Sequence, residues 1–174
     1  MPDADYGNAA TAERGWIHAL AMPRVLTVKD GKLLQNPLEE MAQLWKNRRH
    51  TALKTFGSQK PEDCCFELQL TFCGLAADMA LWLWEDVKLV YKDGTLALCL
   101  GKSGCKRKRR TALAERLESL TVFSDTSSIE IFVNGGEMTM STRVYSESLV
   151  QNVWFEDTDA DADVEWYDLD GIMV

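Results

Sequence analysis

The sequence predicts an all-β fold, an antiparallel β-sandwich of two stacked sheets preceded by one short helix. Short runs in which apolar and polar residues alternate recur along most of the chain, and many are separated by turn signals such as Asp-Gly. Alternation of this kind is typical of strands that bury one face, and about nine or ten such strands suit a two-sheet sandwich. Hydrophobic residues make up 46% of the 174 residues, enough to bury the core of a single domain.

The clearest element is a β-hairpin over residues 127–145. Its corner, Asn134-Gly135-Gly136, supplies residues that readily take the positive φ angles of tight turns. A loop of two or four residues there pairs odd positions with even ones, so both apolar sets fall on one face of the hairpin. These sets are Ile129, Ile131 and Val133 on the first strand, and Met138, Met140, Thr142 and Val144 on the second.

The N-terminal part of the chain predicts a strand and then a second hairpin. Residues 16–22 form an apolar run of strand length that Pro23 ends. Two short strands follow, over residues 24–29 and 32–35, and Asp30-Gly31 forms the turn between them.

A single helix of about three turns is predicted after that hairpin. Asn36-Pro37 fits an N-cap followed by proline at the first helical position. Acidic residues lie near the positive end of this helix and basic residues near its negative end. The apolar residues at helical spacing are Leu38, Met41, Ala42 and Trp45, the acidic ones are Glu39 and Glu40, and the basic ones are Lys46, Arg48 and Arg49.

The remainder predicts a polar connector over residues 51–63 and then mostly strands. The run at 66–72 alternates and predicts a half-buried strand with a polar outer face, whereas the run at 79–84 is apolar on both faces and is also compatible with a helix by composition. A two-residue loop at Asp93-Gly94 makes a further hairpin. The predicted strands cover residues 66–72, 79–84, 87–91, 96–100, 117–123, 150–155 and 164–169.

The net charge and the hydropathy of the chain argue against two classes of binding partner, nucleic acids and membranes. The net charge of −8 argues against nucleic acid, since phosphate binding depends on clustered Lys and Arg. No apolar run approaches the ~20 residues that a membrane helix needs, and the first residues lack the pattern of a signal peptide. We therefore expect neither a nucleic-acid nor a membrane partner.

The cysteines predict neither a metal site nor a disulfide framework. They form an odd set without a Cys-x-x-Cys pair, and only His18 and His50 could join them as ligands. Cys73 and Cys99 lie in apolar runs and are predicted to be small core residues. A reducing cytosol is the simplest setting, so the predicted location is cytoplasmic. The five are Cys64, Cys65, Cys73, Cys99 and Cys105.

Two charged segments invite a functional interpretation. Residues 106–110, Lys-Arg-Lys-Arg-Arg, could suggest a polyanion site, but no aromatic residue interrupts them and the chain is acidic. A solvated loop, or a surface that docks on an acidic partner domain, is preferred. Residues 157–163 alternate Asp with other residues like the start of a calcium loop, but Ala162 occupies the glycine position and Asp168 the position of the bidentate Glu. A solvated acidic turn is preferred there.

Trp82 and Trp84 are the aromatic candidates for ligand binding. Two residues apart on a strand, they would share one face and could stack on a sugar ring, although core packing is the preferred interpretation. His18 has no evident carboxylate or serine partner and is interpreted as structural. No nucleophile elbow, phosphate loop or metal-ligand helix is found, and no cofactor is expected.

Three stretches, in order, resemble the C-terminal part of glycoside hydrolase family 32, the invertase and sucrose-6-phosphate hydrolase type. The third stretch resembles the signature hairpin of the family's β-sandwich, the second its strand, turn and linker helix, and the first the exit from the last blade of its catalytic propeller. Val25 departs from the usual Glu, and Thr126 from a frequent Arg. The stretches are MPDADYGN at 1–8 with GWIHAL at 15–20 and MPR at 22–24, LTVKDGKLLQNPLEE at 26–40, and FSDTSSIEIFVNGGE at 123–137 with TRVY at 142–145.

The resemblance implies a parent enzyme that hydrolyses terminal β-D-fructofuranosides, such as sucrose or its 6-phosphate, with retention. That reaction needs two carboxyl groups roughly 5 Å apart. The family carries them in Asn-Asp-Pro-Asn-Gly and Glu-Cys motifs, with a stabilising Asp in Arg-Asp-Pro, and none of the three occurs here; Asp63-Cys64 has the wrong acid. The resemblance therefore implies no catalytic residue within this chain.

The resemblance also implies a division of the chain and a partner. Residues 1–22 correspond to a last-blade remnant and linker, and residues 23–174 to the accessory β-sandwich. The expected partner is the catalytic propeller of a longer parent chain. Without the propeller, residues 16–22 are expected to be frayed, folded back, or paired with a second copy through an exposed strand edge. The alternative function is a stand-alone carbohydrate-binding module with Trp82 and Trp84 as its platform.

Overall fold

A computed structural model describes residues 19–62, 64–74, 76–105, 107–146, 151–156 and 158–170. Within these ranges the chain forms fourteen strands and four short 3₁₀ helices. The strands are β1 (Arg24–Lys29), β2 (Lys32–Pro37), β3 (Trp45–Ala52), β4 (Ser58–Gln59), β5 (Phe66–Phe72), β6 (Met79–Trp84), β7 (Val87–Lys92), β8 (Thr95–Leu100), β9 (Arg109–Leu113), β10 (Ser119–Asp125), β11 (Ser128–Val133), β12 (Met138–Arg143), β13 (Val153–Phe155) and β14 (Ala162–Leu169). The 3₁₀ helices are Glu39–Leu44, Leu53–Thr55, Lys102–Gly104 and Asn134–Gly136.

Two six-stranded antiparallel sheets form the body of the domain, and the predicted all-β sandwich is confirmed. The first sheet has the order β12-β11-β10-β5-β14-β3, and the second has the order β4-β13-β6-β7-β8-β9. The hairpin β1-β2 forms a separate two-stranded sheet.

The core lies between the two sheets. Inward residues of the first sheet, such as Leu68 and Ile131, belong to the same buried cluster as Leu81 and Leu98 of the second. Trp84 and Trp166 are among the largest fully buried side chains. Since aliphatic and aromatic side chains from both inner faces fill this layer, burial of apolar surface holds the sheets together.

The predicted hairpin over residues 127–145 is confirmed with its register. Ile131 lies opposite Met140 and Val133 opposite Met138, so a four-residue connection pairs odd positions with even ones. Gly135 and Gly136 in the corner have φ of 62° and 92°. The Asp30-Gly31 and Asp93-Gly94 turns are confirmed as well, and Tyr91 lies opposite Leu96 as the two-residue loop predicts.

The predicted helix of three turns is wrong. The structure has a six-residue 3₁₀ helix, Glu39–Leu44, and Leu38 at its N-cap makes no side-chain cap bond. Pro37 ends β2 instead of opening the helix. Trp45 begins β3, which pairs with β14 over its length. Ladder pairing in the sheet outweighs the local helical spacing, because propensity is a weak prior against tertiary context.

The polar connector predicted over residues 51–63 is also wrong. Within its described part, Leu53 and Phe56 are buried in the core and β4 forms an edge strand. Of the two cysteines predicted to be core residues, Cys73 is exposed and Cys99 is half-buried. In the apolar run at 16–22, residues 19–22 form no strand, and residues 16–18 lie outside the described residues.

Candidate docking surface

The outer face of the first sheet holds a buried ion pair that joins the N-terminal segment to the sheet. Arg24, at the start of β1, places its Nη2 atom 2.7 Å from Glu130 Oε2 on β11, and both side chains are largely buried. The same guanidinium donates to Ser141 and Thr139 of β12, and its carbon lies 5.2 Å from the Phe132 ring centre. Removing one partner of such a pair costs about 3 kcal/mol or more, because the other charge stays buried.

A small apolar cluster lies beside this ion pair. Phe123, Phe132 and Leu169 are buried on the outer face of the sheet, and Met22 and Leu44 pack against them. The backbone N–H of Met22 donates to Glu130 Oε1. The segment before β1 is therefore fixed to the sheet by both charge and apolar contact.

A groove of about 530 Å³ opens next to this cluster. We call it the linker groove, and its lining is mainly apolar but includes three carboxylates. Leu20 at its edge is almost fully exposed. The lining includes Leu20, Met22, Pro23, Met41, Leu44, Cys65, Phe123, Leu169 and the carboxylates Asp125, Glu130 and Asp170.

Cys65 lies in the linker groove but has little reactive character. Burial, followed by the nearby Asp125 carboxylate, raises the pKa of its thiol to about 12. The thiol donates to Asp125 Oδ1 at 3.4 Å. Because the thiolate is the nucleophile and the metal ligand, this thiol is poorly suited to either role at neutral pH.

Glu67 is a second carboxylate buried on this face. It accepts hydrogen bonds from Trp45 Nε1 at 2.6 Å and from Gln69 Nε2 at 2.5 Å. Burial raises the pKa of Glu67, while the bonds from Gln69 and Trp45 act in the opposite direction. Trp45 helps to shield the Glu67 carboxylate from solvent. The Trp45 ring stacks on Tyr167, with ring centres 4.1 Å apart.

The β1-β2 hairpin carries an exposed apolar surface, which we call the hairpin patch: Leu26, Val28 and Leu33. Val28 lies opposite Leu33, and Leu26 is two residues before Val28, so the three share one hairpin face. Their exposed fractions are 61%, 76% and 54%. Contiguous exposed aliphatic side chains of this kind are typical of a surface that another protein surface covers.

The structure separates the two tryptophans that the sequence placed on one face. The register of β6 against β7 shifts between Trp82 and Trp84. Trp84 is fully buried in the core and donates to Ser124 Oγ at 3.2 Å, whereas Trp82 is half-buried on the outer face. The predicted shared face is therefore wrong, because a β-bulge changes the alternation. The preferred interpretation, core packing, is confirmed for Trp84 but not for Trp82.

Within the described residues 107–110 of the basic run, the predicted solvated loop is wrong for Arg107, while residues 108–110 are exposed. Arg107 is buried and donates to the Gly104 and Arg143 carbonyl oxygens and to Thr142 Oγ1, at 2.8 to 3.0 Å. Arg109 and Arg110 are exposed at the start of the edge strand β9. Lys106 lies outside the described residues.

The acidic run at 157–163 alternates in burial. Asp159, Asp161 and Asp163 are exposed, and the alanines between them are buried. Asp161 Oδ1 lies 3.9 Å from Lys54 Nζ, and Asp163 Oδ1 lies 3.9 Å from His50 Nε2. Over the described ranges, no three His, Cys, Asp or Glu side chains converge as cation ligands would. Asp157 lies outside those ranges.

Other residues named from the sequence have ordinary surroundings. Val25 is partly exposed on β1, and Thr126 lies in the β10-β11 turn, where its N–H donates to Asp125 Oδ1 at 2.6 Å. His18 and Asp63 lie outside the described residues. None of the helices in the described part of the chain could span a membrane.

Sequence reasoning missed the residues that organise this face. Arg24 and Glu130 lie in the first and third recognised stretches, yet 106 positions separate them and no local pattern predicts their contact. Glu67 was assigned to a solvated face because alternation shows which residues share a face but not what covers it. The sequence signal that could have indicated a buried carboxylate is a charged residue within an otherwise apolar run, as in Ile129-Glu130-Ile131.

Comparison with known proteins agrees with this architecture. The family model "Glycosyl hydrolases family 32 C terminal" matches residues 39–168. Sucrose-6-phosphate hydrolase of Bacillus subtilis is 29% identical over 154 residues, which cover 83% of this chain and 32% of the relative. Sucrose-6-phosphate hydrolase of Staphylococcus xylosus is 32% identical over 165 residues, which cover 84% of this chain and 33% of the relative.

The solved structure of sucrose-6-phosphate hydrolase from Lactobacillus gasseri superposes with a TM-score of 0.71 at 25% identity, over 86% of this chain and 33% of that one. This chain thus spans about a third of the length of the curated relatives it matches. Three quarters of it, residues 39–168, match one family model. The chain therefore belongs to glycoside hydrolase family 32, through the C-terminal domain of that family.

Proposed function

We propose that this chain is the non-catalytic accessory domain of a family 32 hydrolase that acts on terminal β-D-fructofuranosides, sucrose or sucrose 6-phosphate, with retention. The observation that carries the proposal is that the chain matches only a third of relatives named sucrose-6-phosphate hydrolase, through their family's C-terminal domain. The remaining two thirds of such a relative would supply the catalytic propeller.

The carboxylates of the domain have structural partners. A retaining glycosidase needs two carboxyl groups about 5 Å apart and open to substrate. The three buried carboxylates of the described residues are instead engaged: Glu130 with Arg24, Asp168 with Arg49, and Glu67 with Trp45 and Gln69. A structural role for them agrees with a domain that does not cleave sugars itself.

The linker groove and the hairpin patch are the surfaces proposed to contact the propeller. Both surfaces are apolar and open to solvent. The hairpin patch lies on the segment that precedes β3, and residues of that segment line part of the linker groove. In this proposal residues 1–22 belong to the linker and the last blade, and residues 23–174 form the accessory domain.

Two further properties belong to the proposal. A homodimer through an exposed sheet edge is a second candidate assembly, since β9 and β12 are edge strands in the described part of the chain. The proposed setting is cytoplasmic, because Cys65, Cys73, Cys99 and Cys105 are free thiols, as in reducing compartments.

The proposal is tested by activity and by the gene. The purified chain should release no fructose from sucrose or sucrose 6-phosphate above a heat-inactivated sample, and the reading frame upstream of Met1 should encode Asn-Asp-Pro-Asn-Gly, Arg-Asp-Pro and Glu-Cys in that order. Hydrolysis that co-purifies with the chain through two chromatographic steps, or an upstream frame without these motifs, would refute it.

A further inference from the structure

The second sheet carries a stacked pair of tryptophans on its outer face. Trp82 of β6 lies directly opposite Trp154 of β13, with ring centres 5.5 Å apart and planes inclined by 14°. Leu81 and Leu83, on either side of Trp82, are fully buried, so Trp82 points away from the core. Trp154 is 37% exposed.

The two faces of the Trp82 ring are occupied. β6 lies between β13 and β7, so Trp154 and Lys88 approach Trp82 from opposite sides. The Lys88 ammonium lies 4.7 Å from the Trp82 ring centre, within the range of a cation–π contact. The open aromatic surface of the pair is therefore the far face of Trp154.

That far face is directed toward an edge strand with a small residue. Ser58 of β4 is the residue opposite Trp154, and it is exposed. A hydroxymethyl side chain is too short to cover an indole. Among the described residues, the sheet thus ends in an open indole face with an exposed hydroxyl group beside it.

A polar group lies at the rim of the pair. Glu156 Oε1 accepts from Trp82 Nε1 at 2.8 Å and from Lys88 Nζ at 3.4 Å. These contacts fix the carboxylate beside the rings, and within the described residues its Oε2 has no protein donor. The charges of Lys88 and Glu156 offset each other, so the rim favours a neutral ligand over a phosphate or a nucleic acid.

We propose that the open face of Trp154 is a binding platform for a neutral sugar ring, with Glu156 and Ser58 as hydrogen-bond partners for its hydroxyl groups. A sugar ring has an apolar C–H face and a rim of hydroxyl donors and acceptors, which matches an indole face flanked by a carboxylate and a hydroxyl. This site lies on the second sheet, opposite the proposed docking face on the first sheet, so binding requires no catalytic domain.

The test is a titration of the whole chain with sucrose, fructose and inulin oligosaccharides, in which intrinsic tryptophan fluorescence reports binding. A single ring on an open surface should bind with a dissociation constant of about 1 mM. Trp154→Ala should weaken binding at least about tenfold, and Glu156→Gln should weaken it less. Ser58→Trp should abolish binding while leaving Trp154 in place, because the new ring would cover the open face.

Trp45→Ala is the matched control. Trp45 is 39% exposed and stacks on Tyr167, but it lies on the other sheet, so this variant should bind sugar like the unmodified chain. The absence of saturable binding to any of the three probes would overturn the proposal. A Trp154→Ala variant that loses thermal stability but keeps its sugar affinity would also overturn it. Self-association of the chain through Trp82 and Trp154, in place of sugar binding, would do the same.

Discussion

At the scale of single residues, the outer face of the first sheet is unusual in the carboxylates it buries. Glu67 is only 2% exposed and has two neutral donors, Trp45 and Gln69. Two neutral hydrogen bonds do not repay the loss of hydration of a full charge, so burial still raises the pKa of this carboxyl. Glu130, by contrast, has a cation beside it.

Glu67 should make stability depend on pH. A carboxyl whose pKa is raised in the folded state binds more protons folded than unfolded, so its contribution is fully present below the unfolded pKa of about 4.5 and is lost as the pH rises through the folded pKa. The free energy of unfolding of the unmodified chain, relative to Glu67→Gln, should therefore fall as the pH rises above about 4.5. Urea titrations of both proteins between pH 4 and 8 measure this difference; a constant or rising difference would contradict it.

Sequence periodicity resolved individual side chains only where strands are regular. It assigned Ile129, Ile131 and Val133 to the core correctly, because their alternation is undisturbed. It wrongly placed Trp82 and Trp84 on one face, because the register shift between them depends on the pairing with β7, which no single strand reveals. It also missed Trp154, whose partner is brought opposite it only by the sheet order.

At the scale of elements, hairpins were predictable and the helix was not. Asp-Gly and Asn-Gly-Gly corners fix turn geometry through their own backbone preferences, so the β1-β2, β7-β8 and β11-β12 hairpins follow from local sequence. The helix failed because the residues after Leu44 pair with β14, a strand that lies more than a hundred residues later. The strands β3 and β4 were missed for the same reason.

The corner between β11 and β12 also anchors the β1-β2 hairpin. A Cβ added at Gly136 would overlap the Gln35 carbonyl group of β2 and lie 2.8 Å from Asn36 Oδ1, while one added at Gly135 would meet open space. Both glycines have positive φ.

Gly136→Ala should therefore destabilise the fold more than Gly135→Ala. The Gly135 variant should cost about 1 kcal/mol from backbone strain alone, and the Gly136 variant about 3 kcal/mol from strain plus overpacking. Urea unfolding measures both, and limited trypsin cleavage at Lys29 and Lys32 should accelerate only in the Gly136 variant. Equal effects of the two substitutions would show that the Gln35 contact is unimportant.

At the scale of the whole molecule, the two outer faces of the sandwich differ. The first sheet carries the N-terminal segment, buried ion pairs and the linker groove, whereas the second carries the partly exposed tryptophan pair. The sequence predicted two stacked sheets but did not indicate which outer sheet face is covered by other residues, because that depends on where the N-terminal segment lies.

The hairpin patch should determine association with the catalytic propeller of the proposed parent enzyme, when that propeller is produced as a separate chain. Replacing Leu26, Val28 and Leu33 together by Gln should weaken this association at least about tenfold, since each buried aliphatic side chain contributes about 1.5 kcal/mol or more. Leu113→Gln is the control, because Leu113 is also an exposed leucine but lies on β9 at the far edge of the second sheet. Isothermal titration calorimetry compares the three proteins, and equal affinities for the triple variant and the control would exclude the hairpin patch from the interface.

The buried position of Arg107 has a consequence for proteolytic processing. Endoproteases that cut after paired basic residues must bind their target as an extended, accessible segment, and residues 106–110 contain several such pairs. Here Arg107 is held by three acceptors, and Arg109 and Arg110 are paired along β9 with β8. Cleavage in this run would therefore require the strand to open first, so the rate of cutting would report how often this corner of the domain unfolds.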